Sequence, residues 1–120
     1  MCIRDRAPVG PYSPAVKSGS LVFCSGQIGL DPETGKMREG VEAQLNQVLD
    51  NLKAVLSASG SSVEKIVMAT IFLADIADGA HVNKVYADFV SDSNPPARQT
   101  VAVKDLPLGA LVEISVVAEV

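Results

Sequence analysis

The chain has 120 residues, 48% of them hydrophobic and 20% charged, with a formal net charge of -4 and an isoelectric point near 4.8. That length holds one core rather than two, and the acidic balance, with ten scattered Lys and Arg, disfavours nucleic-acid binding by phosphate neutralisation. Two cysteines, Cys2 and Cys24, make no disulfide framework, and the single histidine, His81, has no Cys/His neighbours at zinc-ligand spacing.

Residues 1–6 are polar and unpatterned and receive no structural assignment; residues 7–120 read as one domain. Three prolines and a glycine keep residues 7–14 out of regular elements, which places Tyr12 on a stiff loop as an edge aromatic or as a pocket wall. A turn at residues 18–20 leads into an apolar strand over residues 21–28. Gly26 inside it marks a bulge or a close backbone approach. Cys24 reads as a small buried hydrophobe. After a turn at residues 31–36, Val41, Leu45, Val48, Leu49, Leu52, Val55 and Leu56 lay one apolar stripe along a helix, with Gln44, Gln47 and Asn51 off that stripe and Gly60 as the residue that stops it.

The run over residues 66–74 is apolar apart from Thr70 and suits a strand buried on both faces. Asp78 can cap a second helix, whose stripe is Val82, Val85, Tyr86, Phe89 and Val90, and which ends near residues 93–94. Asn83 lies on a different face of that helix. Pro95 and Pro96 then fix an extended lead-in to a strand with Arg98 at its mouth, where a guanidinium fork could meet a carboxylate or phosphate. A solvated surface arginine at a strand end fits the same pattern. In the last strand, residues 111–119, Val112, Ile114, Val116 and Ala118 alternate with Leu111, Glu113, Ser115 and Val117.

The order strand, helix, strand, helix, strand, strand implies an α+β fold in which two helices cover one face of a four- to six-stranded mixed sheet. Each strand–helix–strand crossover joins parallel neighbours, and the last two strands pair as a hairpin. The other face is left half apolar and carries Arg98, Thr100 and Glu113 or their neighbours. Such a face tends to be hidden against another copy. No phosphate loop, dinucleotide fingerprint or nucleophile elbow occurs, and His81 is remote in sequence from any activated serine. What remains is a polar set of Tyr12, Ser25, Asn83, Arg98, Thr100 and Glu113, able to bind a small carboxylate and direct a water.

Gly10-Pro11-Tyr12-Ser13, Ser25-Gly26-Gln27-Ile28, Asp31-Pro32-x-Thr34-Gly35, Gln44-x-x-Gln47-x-Leu49-x-Asn51, Pro96-Ala97-Arg98 and Val112-Glu113-Ile114 stand in the order and spacing of one family. Over residues 7–118 the chain resembles the reactive intermediate deaminase A (RidA) family. The resemblance implies a chorismate-mutase-like α+β fold and a homotrimer whose sheets form an inner barrel, with sites in the clefts between subunits. It implies hydrolysis of 2-imino and 2-enamino acids, such as 2-iminobutanoate and 2-iminopropanoate, to 2-keto acids and ammonia, without cofactor or metal. By the same resemblance Arg98 holds the substrate carboxylate and Glu113 directs water, while Tyr12, Ser25, Gly26, Asn83 and Thr100 line the pocket. A non-catalytic trimer that binds small carboxylates in the same clefts is the second expectation. A cytoplasmic location, with no nucleic-acid or membrane partner, completes the reading. Three features depart from the family pattern. Gln99-Thr100 stands where archetypal members often carry Ser-Cys, Pro14 stands where glutamine is frequent, and residues 1–6 do not match the usual lead-in strand.

Overall fold

A computed structural model of the chain describes the backbone of residues 2–3 and all of residues 13–90 and 94–120. In the described residues six strands form one sheet: β1 (Cys2–Ile3), β2 (Ala15–Ser18), β3 (Leu21–Gln27), β4 (Ile66–Leu73), β5 (Ala97–Ala102) and β6 (Val112–Glu119), in the spatial order β1-β2-β3-β6-β4-β5. Helices α1 (Val41–Ala58) and α2 (Gly79–Val90) connect β3 to β4 and β4 to β5.

The α+β class and the mixed sheet match the sequence expectation; the connectivity corrects it. The last two strands are not a hairpin. β6 inserts between β3 and β4, antiparallel to both, so β3 and β4 run parallel without touching. Only the second crossover joins parallel neighbours, β4 and β5. Inserting β6 gives its four alternate apolar residues a place at the centre of the core, where Val112, Ile114, Val116 and Ala118 are buried. An edge position in a hairpin would have left them half covered. Residues 2–3 and 15–18, given no strand by the sequence reading, build the opposite edge as β1 and β2.

The core lies between the sheet and both helices. Leu45, Val48, Leu52, Val55 and Leu56 of α1 and Val82, Tyr86 and Val90 of α2 meet Val22, Cys24, Ala69, Ile71, Leu73 and the inward residues of β6. Gly60 follows the cap residue Ser59 at φ 78°, the left-handed conformation expected where a helix stops. Gln44, Gln47 and Asn51, off the apolar stripe, are nonetheless buried (4%, 8% and 3% exposed) and hydrogen-bonded to loops. Asp78 directly precedes α2, but the capping hydrogen bond seen here is one turn earlier, where Asp75 accepts from the Ala77 N–H at 2.9 Å. The helix is described to Val90, and its expected end near residue 93 lies outside the described residues.

β4 is an interior strand, but it is not buried on both faces. Ala69, Ile71 and Leu73 are covered by the helices, while Met68, Thr70 and Phe72 on the other side remain partly open. The same uncovered face carries Val16 and Phe23, paired across β2 and β3 and 42% and 46% exposed, with Val117 opposite Phe23.

Candidate active site

The predicted residues fall into two groups held by different parts of the sheet. The first is built on β5 and α2. Arg98 pairs with Ala69, and side chains of paired residues leave a sheet on the same side, so Arg98 lies on the helix-covered face. Its Nη1 donates to Asn83 Oδ1, and its guanidinium carbon stands 5.4 Å from the centre of the Tyr86 ring. Asn83 and Tyr86 are three residues apart on α2 and therefore share a helix face. Tyr86 is 5% exposed; burial raises the pKa of its hydroxyl, an effect the Arg98 charge partly opposes. Thr100, two residues along β5 and paired with Ile71, lies on the same side and is partly exposed.

The second group is built on β3 and β6. The register shifts between Cys24 and Gln27, so Ser25 and Gly26 together oppose the single residue between Ile114 and Val116. This is the bulge that Gly26 announced in the sequence. The bulge turns the Gly26 backbone onto Glu113: a Cβ at Gly26 would stand 2.6 Å from Glu113 Oε2 and 2.7 Å from its carboxyl carbon. Ser25 is fixed by two bonds to the segment before β2, from its Oγ to Ser13 O at 2.7 Å and from its N–H to Pro14 O at 2.9 Å. Glu113 pairs with Phe72 and so projects from the uncovered face, where partial burial lifts its carboxyl pKa above the ordinary value. Tyr12 lies outside the described residues.

Arg98 and Thr100 therefore do not share a face with Glu113, and the expectation that they would is corrected. The cause is register. Arg98 is opposite a helix-facing residue of β4, and Glu113 is opposite a residue of β4 that faces away. Two strand spacings and three residues along the strand separate them, roughly 14 Å between Cα atoms. Within one chain the guanidinium and the carboxylate cannot hold the same small molecule. Asn83, expected to line the pocket, has its side-chain oxygen engaged by Arg98.

Tyr86 is the residue that sequence reading missed. It belongs to the core, as its place in the apolar stripe predicts; what the stripe does not show is that its ring also meets Arg98, and the signal for that is its place one turn after Asn83. Cys24 contributes no nucleophile, because burial pushes its thiol up to about 11. Among the described residues no cluster of three His, Cys, Asp or Glu side chains could hold a metal ion.

The family model described as Endoribonuclease L-PSP matches residues 3–120. The chain is 49% identical over 117 residues to Reactive Intermediate Deaminase A, chloroplastic, of Arabidopsis thaliana, covering 95% of this chain and 62% of that protein. The crystal structure of RidA from an Antarctic Psychrobacter superposes with a TM-score of 0.92 at 43% identity, covering 96% of this chain and 93% of that one. That of E. coli TdcF with bound serine superposes with a TM-score of 0.91 at 38% identity, covering 98% and 94%. By a family match across nearly its whole length and by its fold, the chain belongs to the RidA family, the family whose model is described as endoribonuclease L-PSP.

Proposed function

We propose that this protein hydrolyses 2-imino acids and their enamine tautomers to 2-keto acids and ammonia, working as a homotrimer whose uncovered sheet faces turn inward. Arg98 of one subunit and Glu113, Ser25 and Gly26 of its neighbour line each cleft. The observation that carries this reading is the division of the site. A guanidinium already held in place stands at one edge of the sheet, and a half-buried carboxylate pressed against Gly26 projects from the far face. Neither is complete without a partner that a second copy can supply. The apolar character of the uncovered face, with Val16 and Phe23 more than two-fifths exposed, supports the same assembly.

The chemistry asks little of the protein. An imine carbon is electrophilic, so a bound substrate needs its carboxylate held by Arg98 and a water aimed at C2. Glu113 takes a proton from the attacking water as the C–O bond forms and the C=N bond becomes a single bond. Returning that proton to nitrogen gives the carbinolamine, and moving its hydroxyl proton to the same nitrogen, again by way of Glu113, breaks the C–N bond, releases ammonia and leaves the C=O of the 2-keto acid. A carboxylate whose pKa is raised by burial is better suited to both transfers than one of ordinary acidity. Every atom comes from substrate and water, so the scheme calls on no metal or cofactor.

The Arabidopsis relative is named as a deaminase of reactive intermediates, and the TdcF structure holds serine, a small molecule bearing a carboxylate. 2-Iminobutanoate and 2-iminopropanoate are the proposed substrates. Cleavage of RNA fits less well, because the net charge is -4 and a single histidine gives no acid–base pair of imidazoles. No helix in the described residues is long and apolar enough to cross a membrane, and we place the activity in the cytoplasm. The test is a threonine dehydratase reaction with semicarbazide present to trap 2-iminobutanoate. Adding the protein should lower the trapped product; unchanged trapping with retained 2-keto acid binding would leave a non-catalytic carboxylate binder in the same clefts.

A further inference from the structure

Arginine is a long side chain with much rotamer freedom, and ordering it on ligand binding weakens affinity. In this protein the ordering precedes the ligand. Tyr86 is 5% exposed and packed in the core, so its ring is a fixed plate. The Arg98 guanidinium lies over that plate at 5.4 Å, inside the range of a cation–π contact. Asn83, one turn earlier on α2, accepts from Nη1. One contact fixes the face of the guanidinium and the other its rotation, and a group with five N–H donors can still meet a carboxylate in its plane. The Tyr86 hydroxyl is buried and has no hydrogen-bond partner among the described residues, so there the ring carries the contacts of this residue. The hydroxyl is neutral near pH 7 at the ordinary tyrosine pKa, and burial raises that pKa further, so Arg98 faces a ring rather than a phenolate.

We propose that Tyr86 is a positioning residue for the carboxylate site: its ring, with Asn83, holds the Arg98 guanidinium flat and ready at the sheet edge before any ligand arrives. This rests on the reading of Arg98 as the carboxylate-binding group, and two measurements separate the two ideas. The first is the Arg98 Nε–H signal in a proton–nitrogen NMR spectrum of the ligand-free protein. In wild type it should be sharp and displaced by the ring. In Tyr86→Leu (or Tyr86→Met, should the leucine variant not fold) it should move to the position of an unrestrained arginine, and Tyr86→Phe should restore it. The second is titration with 2-oxobutanoate, where Tyr86→Leu should weaken binding about five- to tenfold and Tyr86→Phe should recover it. An unmoved Arg98 signal in the leucine variant, or a phenylalanine variant as impaired as the leucine one, overturns the proposal. A wild-type protein that ignores 2-oxobutanoate would instead overturn the carboxylate reading, while the Arg98 signal still decides the part played by Tyr86.

Discussion

Arg98 and Glu113 stand on opposite faces of one sheet, with β4 between their strands, the first opposite Ala69 and the second opposite Phe72. If both act on one substrate, they must come from different copies of the chain. Arg98→Ala and Glu113→Gln chains, each strongly impaired alone, should then regain activity when co-expressed. Random assortment gives each cleft one chance in four of receiving both intact residues, so about a quarter of wild-type turnover is expected. A co-expressed mixture as impaired as its parents would show that the two residues do not meet across an interface.

Gly26 separates the needs of the fold from those of the site. A methyl group there would stand 2.6 Å from Glu113 Oε2, and the atoms it meets are the free end of a flexible side chain rather than backbone. Gly26→Ala should therefore leave the melting temperature nearly unchanged while pushing the carboxylate aside and abolishing most imine hydrolysis. Circular dichroism melting and the semicarbazide assay on one sample test this. A large loss of stability with activity per folded molecule retained would make Gly26 a purely structural residue.

Burial raises the Glu113 pKa, and the sign of the consequence is fixed. The folded state binds the proton more tightly than the unfolded chain, so Glu113 contributes stability that is full below its ordinary unfolded value and is lost as pH rises through its raised folded value. Glu113→Gln cannot ionise and should gain stability relative to wild type across that window, measured by urea unfolding at stepped pH. Hydrolysis needs the ionised form, so the wild-type rate should rise with pH through the same raised value. A difference in stability that does not change with pH would show that Glu113 titrates normally.

Arg98 is exposed, so its removal should spare the fold. Loss of a charge-assisted contact costs roughly 1.5–3 kcal/mol per hydrogen bond, which is about ten- to 150-fold in kcat/KM on a carboxylate-bearing imine. Arg98→Lys keeps the charge without the planar fork and should recover only part of that. Wild-type turnover in Arg98→Ala would remove Arg98 from the site.

What could be read from the sequence follows from how local each signal is. The stripe of α1, the stop at Gly60, the alternation of β6 and the bulge at Gly26 depend on neighbours a few residues away, and all four appear in the structure. The order of the strands depends on which strand buries the most apolar surface, a comparison across the whole chain. That is why β6 displaced the expected neighbours and took the interior place beside β4. The face on which Arg98 lies depends on the register of β5 against β4, which no pattern within β5 encodes. The candidate site residues come from the polar set left over along the chain and from the family resemblance, but their division between two faces comes from neither, since spacing along the chain says nothing of side. Gln44, Gln47 and Asn51 look like an exposed polar stripe because their partners are loop backbone groups more than 20 residues away or other members of the same network.

That polar network should matter to stability as much as the apolar stripe beside it. Asn51 is 3% exposed; its Nδ2 donates to Ile28 O at 3.3 Å and Leu30 O at 3.1 Å, and its Oδ1 accepts from Gln47 Nε2 at 2.9 Å. Gln47 Oε1 in turn accepts from Arg38 Nε at 3.1 Å, and Arg38 pairs with Asp31 at 2.9 Å, so one side chain of α1 anchors the loop that follows β3. Asn51→Leu would fill the space yet take the partner from the Leu30 carbonyl and from the Gln47 amide, while the Ile28 carbonyl keeps only the Leu30 N–H, a loss of roughly 2–4 kcal/mol in urea unfolding. Asn51→Asp keeps the shape but turns a carboxylate oxygen toward those carbonyl oxygens. Its pKa in the folded protein should be raised, so this variant should be least impaired at acid pH and weaken as pH rises. Equal stability of wild type and Asn51→Leu would mean that water satisfies the loop carbonyl groups as well as Asn51 does.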